Sequence, residues 1–177
     1  MPKIVDHDAL RADLARRAIP VFQQNGYHGI GMRKIAEALG VPKSSLYHYF
    51  PNKQDLFMAC TEALDLVEAD DEGLEPVSAL LQLIGRMEEN IGGELRLMVD
   101  YIGNCARDEI ADDPALRLYR DRLDEVLVKA VGPNRTPTAR ILVYGILIDR
   151  WLAGQQGTLD DIRPLIKDVL GKPKGRT

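Results

Sequence analysis

Lys43, Ser44, Ser45, Tyr47, His48 and Tyr49 put an ammonium, two hydroxyls, an imidazole and two phenols into one short stretch. Such groups donate to phosphate oxygens and to the edges of bases, and an aromatic ring can meet a thymine methyl, so a helix carrying them suits the major groove of B-DNA. Lys53, at the start of the following helix, is placed to meet backbone phosphates. Gly31, Met32 and Arg33 open the preceding helix and can do so with main-chain N–H groups and the Arg33 or Lys34 side chain. Tyr47 and Tyr49 could instead pack between short helices; the pattern assigns Tyr47 to DNA, and Tyr49 with Phe50 partly to structure. His48 is read as a DNA contact from its place on that helix, whereas His7 and His28 have no partner residues in sequence.

These groups need a rigid carrier, and the spacing predicts one. A helix-turn-helix requires a small residue where its helices cross, a glycine in the turn and an apolar residue filling the corner. Ala36, Gly40 and Leu46 meet those needs, with Val41 as an added core residue. Leu10, Leu14, Ala18, Val21 and Phe22 recur at helical spacing and stop at Asn25-Gly26. A second helix is predicted over 32–39, with Gly31 as its cap and Gly40 as its stop, and a third from Pro42 to about Phe50, broken by Pro51-Asn52. A fourth, long amphipathic helix is predicted over 53–69, followed by a connection at Asp70, Asp71, Glu72, Gly73 and Pro76.

The stretch FQQNGYHGIGMRKIAEALGVPKSSLYHYFPNKQDLF resembles the N-terminal domain of the TetR family of regulators. The resemblance covers about residues 10–57 and rests on Gly26-Tyr27, Ile35-Ala36, Gly40-Val41, Leu46-Tyr47, Tyr49-Phe50 and Lys53. It implies a three-helix DNA-binding head, a ligand-binding helical body and a dimer built largely from the last two helices. Ile30 and Gly31 stand where the family usually carries a Thr or Ser pair, which leaves that contact to the backbone.

Charge is divided in the same sense. Residues 1–56 hold eight Lys or Arg against five Asp or Glu, whereas residues 57–177 hold fifteen against twenty-two. The net charge of -4 therefore hides a basic head and an acidic body, and the asymmetry assigns the polyanion to the head.

Beyond the head, helical patterns are expected over 77–90, 94–108, 114–131, 137–155 and 159–170, with a bend at 91–93 because glycine weakens a helix. Thr158 should cap the last, and Pro164 should kink it or mark where it settles. The tail from Gly171, with Lys172, Lys174 and Arg176, is expected to fray. Nowhere is there a sustained alternating strand pattern, so the fold expected is all-α: a helix-turn-helix domain over 1–52 and a helical effector-binding and dimerisation domain over 53–177.

Met87, Met98, Tyr101, Cys105, Tyr119 and Tyr144 lie on apolar faces of the body. Each taken singly suits ordinary core; together they suggest an apolar effector pocket with a few hydroxyls. Asp100 could anchor a cationic effector if buried, but reads more simply as an outward-facing carboxylate. Ile141, Ile148, Trp151, Ile162 and Ile166 could pack within one subunit, yet the resemblance and the two-fold symmetry of most operators favour a four-helix interface between two copies.

Other functions lack their signatures. There is no Ser-His-Asp spacing, no Gly-rich phosphate loop and no clustered metal ligands, so no catalytic residue, metal or cofactor is expected. Cys60 and Cys105 read as reduced thiols. No window approaches the run of about 18 apolar residues that a membrane helix needs, and the opening residues carry acids where a signal peptide is apolar. The expected protein is a cytoplasmic homodimer, a repressor that binds a near-palindromic operator and is released by a small apolar or amphipathic molecule. An activator, or a helical adaptor or enzyme whose head is incidental, are the alternatives.

Overall fold

The computed structural model describes residues 7–64, 73–103, 105–154 and 157–171. Among them the helices are α1 (His7–Asn25), α2 (Met32–Leu39), α3 (Lys43–Tyr49), α4 (Lys53–Ala63), α5 (Pro76–Ile102), α6 (Pro114–Val131), α7 (Thr136–Leu152) and α8 (Arg163–Gly171), with a 3-10 turn at Leu159–Ile162. No strand occurs among the described residues, and no helix there is long and apolar enough to cross a membrane.

Local signals account for the first four helices. Leu14, Ala15, Ala18 and Phe22 form the buried stripe of α1. Gly26 closes that helix in the left-handed region, φ 75°, its N–H donating to the Phe22 carbonyl at 2.8 Å. Gly40 does the same for α2 at φ 67°, after which the Val41 N–H reaches back to the Ala36 carbonyl at 3.0 Å. Asn52 caps α4, its side-chain oxygen accepting the Asp55 N–H at 2.8 Å.

Three expectations need correction. The fourth helix ends at Ala63, where Leu64 turns extended (φ -61°, ψ 119°), rather than at 69; residues 65–69, the acidic run 70–72 and the tail beyond Gly171 lie outside the described residues. The helices expected over 77–90 and 94–108 are one continuous helix of 27 residues ending at Ile102, so the chain stays helical through 91–93. Gly85 and Gly93 serve close approach. A Cβ at Gly85 would come within 3.0 Å of Leu159 Cδ1, and one at Gly93 within 3.2 Å of Gln23 Cδ.

The expected start of the last helix is divided in two. Thr158 and Asp161 form a reciprocal cap around the 3-10 turn, the Thr158 N–H donating to Asp161 Oδ2 at 2.7 Å. These bonds hold the exposed Asp161 carboxyl below its usual range. The α-helix proper then begins at Arg163, with Pro164 in the first turn, where its missing N–H costs nothing.

The chain forms two compact units, residues 1–64 with 93–119 and residues 65–92 with 120–177. Compactness thus groups α4 and the end of α5 with the head. The core of the first unit contains Phe22, Ile35, Leu46, Phe50 and Leu56, all with no exposed surface. The second is built on Leu80, Leu83, Ile84, Leu123, Leu127 and Ile166. Within it, the buried Arg150 guanidinium bonds both Glu88 carboxylate oxygens, at 2.7 and 3.3 Å. Arg140 pairs with Asp124.

Candidate functional site

The helix pair α2–α3 turns its apolar side to the core and its polar side to solvent. Ala36 and Leu46 are buried, and Val41 packs against the same core. That fixes the rotation of α3, because residues three and four apart share a face. Lys43, Ser44, Tyr47 and His48 stand exposed together, and Ser45 is half-buried. Tyr47 is 40% exposed, with the Lys43 ammonium 5.4 Å from its ring centroid. Tyr49 differs: its hydroxyl pairs with His7 Nδ1 at 3.0 Å, so His7 has a partner that sequence reasoning missed. Gly31 and Arg33 are exposed, Arg33 pairing with Glu37 at 3.2 Å. Met32 is 7% exposed, so its side chain belongs to the core and only its backbone can face a phosphate.

Lys53 is placed otherwise than a freely solvated phosphate-binding lysine. Its ammonium donates to the carbonyls of Tyr27 and Ile30, at 2.9 and 3.2 Å, and lies 4.3 Å from the Tyr27 ring centroid. Partial burial lowers the Lys53 pKa, while the Asp100 carboxylate acts in the opposite sense. Asp100 is half-buried and neither anchors an open pocket nor simply faces outward: it accepts the His28 N–H at 3.0 Å.

A cleft open to solvent lies within the first unit. Met98, Tyr101 and Tyr119 line it, as expected from sequence. Met87 and Tyr144 belong to the second unit, Met87 buried there and Tyr144 half-buried, its phenol raised by desolvation. Cys105 packs against the first unit's core without lining the cleft. Sequence reasoning missed that α1 and α4 supply half the wall, through Ile19, Gln23, Phe57, Cys60 and Thr61. Ile19, Phe57 and Cys60 are apolar in the sequence, but which side of α1 and α4 meets α5 depends on their packing. The described lining side chains are uncharged. The Tyr101 hydroxyl donates to Asp113 Oδ2 at 2.9 Å, and burial and that carboxylate push its ionisation upward. The other Asp113 oxygen caps α6 through the N–H groups of Ala115 and Leu116, each at 3.0 Å.

Cys60 donates to the Ala15 carbonyl at 3.3 Å, and burial pushes its thiol up to about 12. Because only the thiolate reacts, Cys60 should alkylate about 10³-fold more slowly than a free cysteine at pH 8. Iodoacetamide labelling followed by mass spectrometry checks this; labelling of native Cys60 at the free-thiol rate would contradict the burial.

In the second unit, Thr138, Ile141, Gly145, Ile148 and Leu152 occupy one exposed stripe of α7 at alternating spacings of three and four. Ile141 and Leu152 are 70% and 73% exposed. Trp151 stands beside the stripe, and a Cβ at Gly145 would meet nothing within 4 Å. Leu165 and Val169 are exposed on α8, with Ile162 half-buried just before that helix. Ile166 has no exposed surface. It packs inside its own chain and offers nothing to a second copy, so the outer face of α8 is that of Leu165 and Val169.

Residues 14–60 match the model of the family described as bacterial regulatory proteins, tetR family. An uncharacterized HTH-type transcriptional regulator of Bacillus subtilis, YxaF, is 39% identical over 77 residues, covering 40% of each chain. The transcriptional regulator AcuR of Cereibacter sphaeroides is 36% identical over 91 residues, 48% of this chain and 41% of its own. The chain thus spans less than half the length of these relatives. Among solved structures, the multidrug binding protein EbrR complexed with proflavin superposes with a TM-score of 0.64 at 18% identity, over 90% of this chain and 98% of its own. FadR of Bacillus subtilis in complex with stearoyl-CoA gives 0.57 at 17%, over 92% and 97%. At such identities the likeness is one of fold.

Proposed function

We propose that this chain, whose residues 14–60 match the tetR family model, is a TetR-family transcriptional repressor released from its operator by a small-molecule effector. The observation that carries the reading is the exposed group Lys43, Ser44, Tyr47 and His48 on α3, held by a helix pair whose opposite side is buried. A major groove accepts such a helix, its polar groups donating to phosphates and base edges. The main-chain N–H groups at Gly31, Met32 and Arg33 would fix register on the backbone.

The protein acts as a homodimer in the cytoplasm, where its DNA is. The exposed apolar stripe of α7 and the outer face of α8 pack against the same faces of a second copy, and the spacing of three and four suits a helical bundle. Two-fold symmetry then presents two recognition helices to a near-palindromic operator, about one helical turn apart. The effector enters the cleft lined by Met98, Tyr101 and Tyr119. The apolar walls and few hydroxyls suit an apolar or amphipathic compound; EbrR, of similar fold, binds proflavin and FadR stearoyl-CoA. Release requires that the effector bind better to a conformation with α4 swung from its DNA-competent place, since only differential affinity shifts a population.

The test is fluorescence anisotropy on a duplex selected from a random pool by the wild-type protein. Tyr47→Ala should weaken that binding about 10- to 100-fold by removing a groove contact. Lys43→Ala should weaken it with less sequence dependence and lower the salt slope by about one. Binding no tighter than to random duplex, or unaffected by either variant, would overturn the reading.

A further inference from the structure

The last turn of α5 touches the effector cleft and the DNA-binding head at once. Leu97, Met98 and Tyr101 line the cleft. Asp100 reaches instead to the turn joining α1 to α2, where its carboxylate accepts the His28 N–H at 3.0 Å. The fit there is close, because a Cβ at Gly26 would stand 2.8 Å from Asp100 Oδ2, and Gly26 already holds φ +75°. The intervening Tyr27 ring meets the edge of Tyr101, with centroids 4.7 Å apart. On the other flank Lys53 of α4 binds the Tyr27 and Ile30 carbonyls. The turn 26–30, from which α2 starts, is therefore held by α4 through an ammonium and by α5 through a carboxylate.

We propose that Asp100 is a positioning residue that couples the cleft to the DNA-binding turn: a ligand displacing residues 97–101 of α5 draws its carboxylate from the His28 N–H and loosens the base of α2, which Lys53 alone then holds. The inference rests on reading the cleft as the effector site. The physical reason is the contrast in stiffness between the two connections. A helical turn moves as a body, so displacement at Met98 and Tyr101 is carried to Asp100, whereas a hydrogen bond of 3.0 Å is lost once it lengthens beyond about 3.5 Å. Tyr101, in contact with both the cleft and Tyr27, gives the same movement a second, apolar route to the turn.

The experiment uses the full chain, the fluorescent neutral probe N-phenyl-1-naphthylamine as cleft ligand, and a duplex selected by the wild type. Reciprocity requires that, if cleft and DNA sites are coupled, saturating duplex weaken probe binding by the factor by which probe weakens DNA binding, expected at about fivefold or more. Asp100→Ala removes the acceptor at a position outside the cleft lining. It should bring that factor to within about twofold of unity, with probe affinity in the absence of DNA and melting temperature retained. A structural role alone would not separate coupling from affinity in this way. Coupling that persists in Asp100→Ala overturns the latch and leaves the effector reading intact. A wild type that does not bind the probe, or binds it without coupling to DNA, overturns the effector reading and the latch with it.

Hydrogen exchange of the unmodified protein supplies a second measurement should the variant not fold. Probe should speed exchange of the His28 amide, whose donor is the one Asp100 holds. Unchanged protection of that amide in the probe-bound protein overturns the latch.

Discussion

Ile148→Asp should convert the protein to a folded monomer and weaken its binding to a selected duplex roughly 10²- to 10⁴-fold, the loss expected when two linked contacts become one. Ile148 lies on the exposed stripe of α7 between Gly145 and Leu152. Within one chain it is 42% exposed, so an aspartate there costs the subunit little. Between two copies the same residue would bury two carboxylates against each other in apolar surroundings, which is unfavourable both by desolvation and by repulsion. Light scattering after size exclusion reads the outcome directly, as a mass falling to that of one 19.7 kDa chain. Circular dichroism separates dissociation from unfolding. A variant that stays dimeric and binds DNA as before would show that this stripe is not the interface. Ile166→Val serves as the counterpart: because Ile166 is fully buried in its own chain, that change should lower stability by about 0.5–1.5 kcal/mol and leave the mass unchanged.

Phe50→Ala should cost about 3–5 kcal/mol of the stability of the first unit, the range for emptying a large aromatic site in a packed core. Phe50 follows the last residue of α3 with no exposed surface, beneath the Arg11 guanidinium at 5.1 Å. Its N–H closes the last turn of the helix on the Leu46 carbonyl at 2.9 Å. The cavity therefore opens under the helix that carries Tyr47 and His48, and DNA binding should fall with the folded fraction although no contact group has been touched. Urea denaturation followed by circular dichroism gives the stability, and anisotropy at subdenaturing temperature gives the affinity. A loss below about 1 kcal/mol would mean that the corner collapses around the deleted ring and is less tightly packed than its burial indicates. Set beside Tyr47→Ala, which removes a half-exposed ring, the pair separates the carrier of the interface from the interface itself.

The helix-turn-helix was legible in the sequence because its determinants are local. Gly26 and Gly40 stop helices by adopting φ near 70°, Asn52 caps the next helix with its own side chain, and Ala36 with Leu46 turns one face inward. Each of these acts within a few residues, so spacing alone carries the information, and with it the face that Lys43, Tyr47 and His48 present. The all-helical class and the place of Pro164 in the first turn of α8 followed from the same kind of signal.

Tertiary structure decided whatever depends on a distant partner. Gly93 looked like a bend because glycine weakens a helix, yet it leaves room for Gln23 of α1, seventy positions away. Ile166 looked like interface because α8 has two apolar stripes; packing chose the stripe of Ile166 and Leu170 for the core and left Leu165 and Val169 outside. Lys53 read as a phosphate contact and Asp100 as an outward-facing carboxylate, and folding brings both to the turn 26–30. A long-range contact of this kind leaves no periodicity in the chain, because the energy lies in the pairing of two elements and neither one carries it alone.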